Sequence, residues 1–386
     1  MADHDTGTSR AELRVMRDRL VRWLVDSAYP LWASNGIDPH NGGFIETLGQ
    51  NGIGLPHPRR ARVHPRQIYS FAEAPALGWS GDVSSIVRRG SDYFAAHYRR
   101  PDSLIRTLAG VDGAPLDDRA LLYDQAFALL GYAAAAGALD ELDKFEQVAL
   151  DLRRAVESHL RAADGAFHSN ESGEGFLESN PHMHLLEACL AWAEIGNDPD
   201  WAHWARQLAD LAMRRFIHRG SGALGECFAA DWRPAPGVAG RIIEPGHQFE
   251  WAWLLLRCDA RQPGGLQAAA LRLISIGEAS GVHNRVAVNA VLDDFSIHDP
   301  NARCWPQTER LKAALLAAQV SGENRHWTMA AAAAASLFPY LDTPLPGLWL
   351  DVQLPSGQLA DSPSPASTFY HLVGAIVALR NSPLGD

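Results

Sequence analysis

Residues 242–256 read IIEPGHQFEWAWLLL. A Glu-Pro-Gly break opens the stretch and an apolar run follows, and proline is well tolerated in the first turn of a helix. On a helix, His247, Glu250 and Leu254 share one face, because residues three and four apart are neighbours. Phe249, Trp251, Trp253, Leu255 and Leu256 cover the other faces. A helix that is apolar all round is a buried one. A histidine and a carboxylate are therefore expected near the start of a helix inside the protein. Taken alone, such a helix needs only a core histidine satisfied by Glu250. Its recurrence along the chain calls for more.

Apolar helices are expected from near Pro65, Ala120, Pro181, Pro245, Pro306 and Thr368. More polar helices follow from near Val83, Asp140, Asp198, Pro263 and Gly322. An opening amphipathic helix over about Arg10 to Ser27 places Leu13, Met16, Leu20 and Leu24 at three- and four-residue steps. Turn-rich segments such as GAFHSNESGEGF and GALGECFAADWRPAPG precede the apolar helices and carry short strand-like runs. One polar landmark from each apolar helix (Arg66, Tyr123, His184, His247, Gln307, His371) gives successive gaps of 57, 61, 63, 60 and 64 residues. That period is too long for an ordinary short solenoid repeat. Six helix pairs with the apolar member inside close naturally into an all-α (α/α)6 barrel, with short β-hairpin segments before the inner helices. An irregular helical bundle with coincidental spacing is the alternative. No linker or composition break divides the chain, so residues 1–386 are expected to form one domain, with residues 1–9 a flexible lead-in.

Composition narrows the function. Hydrophobic residues make up 47% of the chain, enough for a sizeable core, and the formal net charge of −11 with no Lys/Arg cluster argues against nucleic acid as a partner. The N-terminal residues lack the basic and apolar regions of a leader. The longest apolar run, Met329 to Leu337, is too short to span a bilayer. No membrane association and a cytoplasmic location are expected. Cys189, Cys227, Cys258 and Cys304 are far apart, form no CxxC pair and fit a reducing compartment as lone thiols.

In a barrel of this kind the starts of all six inner helices meet at one end, so the polar residues there form a candidate site. They are Arg62, Arg66, Tyr123, Asn180, His184, Glu187, His247, Glu250, Trp305, Gln307, Glu309, Ser367 and His371, with His182 pointing elsewhere. Three histidines from three inner helices admit three chemistries. A zinc site would use them with an acid, but there is no HExxH spacing, and His182 and His184 face apart on a helix, so no metal is expected. A glycoside hydrolase needs two carboxylates flanking the scissile bond. Glu187 and Glu250 are available, yet each sits one turn after a histidine, as an orienting group would. Proton transfer at a sugar carbon beside a carbonyl suits histidine, which titrates near neutrality, with an arginine to stabilise enediolate oxygens. No Gly-rich phosphate loop appears in a strand–turn–helix setting, so no nucleotide and no other cofactor is expected.

The segments RARVHPRQIYSFAEA, LLYDQAFALLGYAAA, SNPHMHLLEACLAW, EPGHQFEWAWLL, RCWPQTERLKAA and STFYHLVGAI together resemble the N-acylglucosamine 2-epimerase superfamily, closest to its mannose and sugar isomerase branch. The resemblance spans nearly the whole chain and implies an (α/α)6 barrel. It also implies that His247 and His371 are catalytic, with Arg66 holding the reacting oxygens. Asn180 and His184 would contact the sugar, Glu250 would partner His247, and Tyr123 and Trp305 would wall the pocket. Arg62 is grouped with the sugar-binding residues, although it stands where several sugar isomerases of the group carry tryptophan. Ser367 replaces a longer polar residue of the sulfoquinovose enzyme. The expected activity is aldose–ketose isomerisation of a free monosaccharide of the D-mannose to D-fructose type. The alternatives are 2-epimerisation, an (α/α)6 glycoside hydrolase, or a sugar-binding protein without catalysis. The expected partner is a small sugar, with the protein a monomer or homodimer.

Overall fold

The structure is a computed structural model that describes residues 2–385, with side chains from residue 8 onward. The flexible lead-in expected over residues 1–9 falls mostly outside the described side chains. Twelve helices form the barrel: α1 (Ala2–Trp23), α2 (Val63–Ala72), α3 (Val83–Tyr98), α4 (Leu122–Leu139), α5 (Leu142–Leu160), α6 (Ser179–Ile195), α7 (Asp200–Leu211), α8 (Pro245–Arg261), α9 (Gln267–Gly281), α10 (Cys304–Ser321), α11 (Asn324–Leu341) and α12 (Ala366–Arg380). The expected starts of the inner helices lie within two residues of these. The opening helix differs more. It is already helical from Ala2, and after Trp23 it widens through a π-turn at Leu24–Ala28 into a further helix at Tyr29–Asn35.

Sequence pattern separates inner from outer helices. In α5, Phe145, Ala149, Leu152, Val156 and Leu160 are buried at three- and four-residue steps, and charged residues occupy the solvent face. In α4 almost every residue from Asp124 to Ala136 is buried. The even-numbered helices pack in a ring, α2 on α4, α4 on α6, and so on until α12 returns to α2. Small residues set some of these approaches. A Cβ built on Gly131 of α4 would lie 2.4 Å from Pro65 Cβ and 2.7 Å from its Cα. Gly131→Ala is expected to cost about 1–3 kcal/mol through overpacking, measurable as a lower urea midpoint.

A second ring lies over the helix starts. The residues just before each inner helix pair with the turn segment of the next repeat. Arg59–Arg60 pairs with Leu108–Ala109, Leu121 bridges Asn170, and Leu177–Glu178 pairs with Cys227–Phe228. Ile242–Ile243 pairs with Val291–Leu292, and Ala302–Arg303 with Val352–Gln353. Ser364–Pro365 closes the circle on Thr47–Leu48. The expected local hairpins form as well, as at Val282–His283 with Val286–Ala287 and Leu108–Ala109 with Pro115–Asp117; the pairs between repeats add to them and order the helix starts.

Each helix start is also stapled to the turn preceding it by one buried polar side chain. Gln125 exchanges two bonds with the backbone of Ile105, both 2.8 Å. Gln248 does the same with Leu224, both 2.9 Å, and Gln307 with Ala287, both 2.8 Å. The Ser364 hydroxyl takes the Trp349 backbone. His64 Nε2 accepts from Phe44 N at 3.2 Å and His182 Nε2 from Phe167 N at 3.1 Å. Burial pushes these two imidazoles down, to about 3 and about 4, which keeps the accepting nitrogen unprotonated. His182 therefore faces away from the helix starts, as expected. Gln307, used as a landmark for the repeat, is a staple and does not face the candidate site.

Candidate active site

All six inner helices contribute to one cavity of about 380 Å³ at their N-terminal ends. Arg62 and Arg66 come from the start of α2, Tyr123 from α4, Asn180 and His184 from α6, His247 and Glu250 from α8, Trp305 from α10, and Ser367, Thr368 and His371 from α12. The residues expected to be catalytic or sugar-binding all lie on this wall, whereas the candidates Glu187, Gln307 and Glu309 do not. The volume is at the small end of the roughly 300–1,000 Å³ typical of ligand sites, a size suited to a monosaccharide.

His247 and His371 flank the Trp305 indole, with ring centroids 5.1 and 5.5 Å from it. Each is anchored through Nδ1, which leaves Nε2 toward the cavity. His371 donates to Glu309 Oε1 at 2.8 Å, and His247 to Glu226 Oε2 at 2.9 Å. The two rings differ in charge. Burial drives His371 well below the ordinary histidine range, and the nearby Arg66 and Lys312 cations deepen that shift. Burial also lowers His247, but the carboxylates of Glu226, Glu244 and Glu250 outweigh it and lift the ring to about 10. At neutral pH a free-base imidazole and an imidazolium share the cavity.

Glu226 is thus the partner of His247, in place of the expected Glu250. Glu226 sits in the turn-rich GALGECF segment, and strand pairing to Leu177–Glu178 of the preceding repeat holds it at the start of α8. Glu250 lies near His184 instead, 3.9 Å from its Nδ1. Both of its carboxylate oxygens are buried without a hydrogen-bond partner, and burial together with Glu309 pushes its pKa well up. Arg66 Nε and Asn180 Oδ1 are likewise buried and unpartnered. Such orphaned polar atoms around one cavity are costly unless a ligand or ordered water meets them. The Arg66 guanidinium lies 4.0 Å from the Phe127 ring centroid and donates to the Tyr123 hydroxyl at 2.7 Å.

Beneath the cavity lies a buried ionic floor that the sequence reading did not assign. Lys312 pairs with Glu309 at 2.7 Å and lies 3.8 Å from the Trp253 ring centroid. Glu187 accepts from His184 Nδ1 at 3.2 Å and from the Tyr370 hydroxyl. Burial opposes its charge, but these bonds and Lys312 hold it down at about 2. Burial also drives His184 down to about 3, so it serves as a neutral donor. Glu187 faces a second cavity at the opposite end of the barrel, of about 490 Å³. Glu187 and Glu250 therefore do not flank one cavity, as a glycosidase pair would. The signal for this floor was present: Glu309 and Lys312, three apart, interrupt an apolar helix, and buried charges must be paired.

A family model for N-acylglucosamine 2-epimerase matches residues 43–375. A protein named mannose-6-phosphate isomerase, from Rhizobium meliloti (strain 1021), is 45% identical over 381 residues, covering 96% of this chain and 98% of its own. The chain belongs to the N-acylglucosamine 2-epimerase family. A D-mannose isomerase of Thermobifida fusca is 28% identical, covering 83% of this chain and 82% of its own. The fold agrees with that of a crystal structure of D-mannose isomerase, with a TM-score of 0.85 at 20% identity over 93% of this chain and 97% of the other. The protein is an enzyme of the sugar isomerase or epimerase kind. Among the described residues, no helix is long and apolar enough to cross a membrane.

Three groups in the family site have the composition of a metal site: His184, Glu187 and Glu250; Glu226, Glu244 and His247; and Glu250, Glu309 and His371. In each, the histidine Nδ1 already binds a carboxylate, and a protonated His247 has no lone pair for an ion. Turnover is expected to survive exhaustive chelation, and loss restored by zinc would contradict this.

Proposed function

We propose that the protein is an aldose–ketose isomerase of mannose-type hexoses, with His371 as the base and His247 as its acid–base partner. The observation that carries this is geometric: two imidazoles on either side of Trp305 face one cavity, each anchored through Nδ1 to a buried carboxylate. With an open-chain aldose bound, His371 Nε2 takes the C2 proton and the electrons form the C1–C2 double bond. The carbonyl oxygen O1 accepts a proton from His247 Nε2. Arg66 lies beside the developing enediolate and stabilises its oxygens. His371 then returns its proton to C1, O2–H yields its proton to His247, and the ketose forms. His184 and Asn180 orient hydroxyls, Tyr123 and Trp305 wall the pocket, and Glu250 presents two buried, unpartnered carboxyl oxygens to the sugar. Relatives named for mannose or its phosphate support the substrate class. No cofactor enters this scheme, and the whole chain acts as one barrel in the cytoplasm.

The test is product analysis by NMR on mannose, glucose, N-acetylmannosamine and cellobiose. Ketose from mannose is the expected result. A C2-inverted aldose with no ketose would make the enzyme an epimerase, with the two histidines on opposite faces of C2. The charges also set a pH profile. The base must be neutral, so activity persists well below the ordinary histidine range. The acid must be protonated, so activity falls as pH rises toward about 10. Glu226→Gln removes the largest charge holding His247 up, and its alkaline limb is expected about one pH unit or more lower. An unmoved limb would dissociate it from His247.

A further inference from the structure

Arginines gather at the cavity. Arg60, Arg62, Arg66 and Arg303 all line it, in a chain of net charge −11. Arg60 pairs with Glu46, Arg62 with Asp124 at 2.9 Å and Arg303 with Glu244 at 3.5 Å, whereas Arg66 has no carboxylate partner among the described residues. Six inner-helix N-termini add partial positive charge at the same end.

The arginines also step outward. Arg66 is buried, whereas the side chain of Arg62 is 19% exposed and that of Arg60 43%. Arg60 is held by Glu46. Arg62 donates only its Nε, to the buried Asp124 at 2.9 Å, and its terminal nitrogens meet no protein acceptor among the described residues. Its guanidinium carbon lies 4.5 Å from the Tyr123 ring centroid. A guanidinium fixed at one nitrogen and against one ring offers a preorganised two-nitrogen fork, the geometry that suits a phosphate.

We propose that Arg62, backed by Arg60, forms a phosphate subsite at the cavity mouth, and that the substrate is a hexose phosphorylated on the carbon farthest from C1 and C2. The orientation of the sugar rests on the isomerase assignment above: C1 and C2 are set at His371, Arg66 and His247, and the proposal sets the terminal carbon toward Arg62, which lines the same cavity.

Binding separates this proposal from the isomerase assignment. Mannitol and mannitol 6-phosphate have no carbonyl and cannot turn over, so calorimetry on the full chain reads recognition alone. Wild-type protein is expected to bind the phosphate at least about tenfold more tightly. Arg62→Gln is expected to remove about tenfold to a hundredfold of that preference. Arg62→Lys keeps a cation against Asp124, guards against a folding defect, and is expected to lose part of the preference. The ratio of kcat/KM for mannose 6-phosphate over mannose should fall by the same factor in each variant. Equal wild-type affinity for the two polyols, or an unchanged preference in both variants, would overturn the subsite. Tighter binding of mannuronate than of mannose 6-phosphate would overturn phosphate in favour of a carboxylate. Failure to form ketose from either sugar would overturn the isomerase assignment and leave the calorimetry to decide the subsite.

Discussion

Replacing His371 with alanine is expected to lower kcat by about 10²–10⁴-fold, the range general acid–base catalysis supplies, with little change in thermal unfolding. The imidazole takes the proton from C2 and returns it to C1, and no other neutral base among the described residues lies beside it. His184 is neutral, but its Nδ1 is committed to Glu187. The fold should survive, because Glu309, the partner left behind, keeps its ion pair with Lys312. Circular dichroism and steady-state kinetics on the same preparation check both halves. A folded His371→Ala enzyme with near wild-type kcat would remove this residue from the mechanism.

Lys312→Met is expected to destabilise the protein by about 3–5 kcal/mol, the usual cost of leaving a buried charge without its partner. Lys312 is the cation of a floor that holds Glu187, Glu250 and Glu309, all buried. Urea unfolding measures the loss. A double variant, Lys312→Met with Glu309→Gln, should recover part of it, because the stranded carboxylate is gone. A single variant within 1 kcal/mol of wild type, on the scale of an exposed pair, would show that the floor is not held by this lysine.

The barrel was legible because its inner helices are apolar on every face and recur about sixty residues apart. The cavity followed from topology, since residues near helix starts must meet at one end once the ring closes. What the sequence hid depends on pairing across repeats. Glu226 reaches His247 only because Cys227 and Phe228 pair with the strand before α6, and no local spacing encodes that. Glu250, at helical distance from His247, was the nearer choice in sequence, but its side chain runs toward His184. The charge difference between His247 and His371 was equally hidden, since both are buried histidines on inner helices and only their neighbours separate them. Lys312 could have been found by asking what balances Glu309 in an apolar helix.

The most direct test of His371 as the single base serving both C2 and C1 is isomerisation in deuterated water. Mannose and mannose 6-phosphate would be incubated with wild-type enzyme, and the label at C1 and C2 followed by NMR. A single base that lifts the proton from C2 and delivers it to C1 should give ketose with solvent deuterium on one face of C1 only. Deuterium at C2 of an inverted aldose, with no ketose formed, would contradict it.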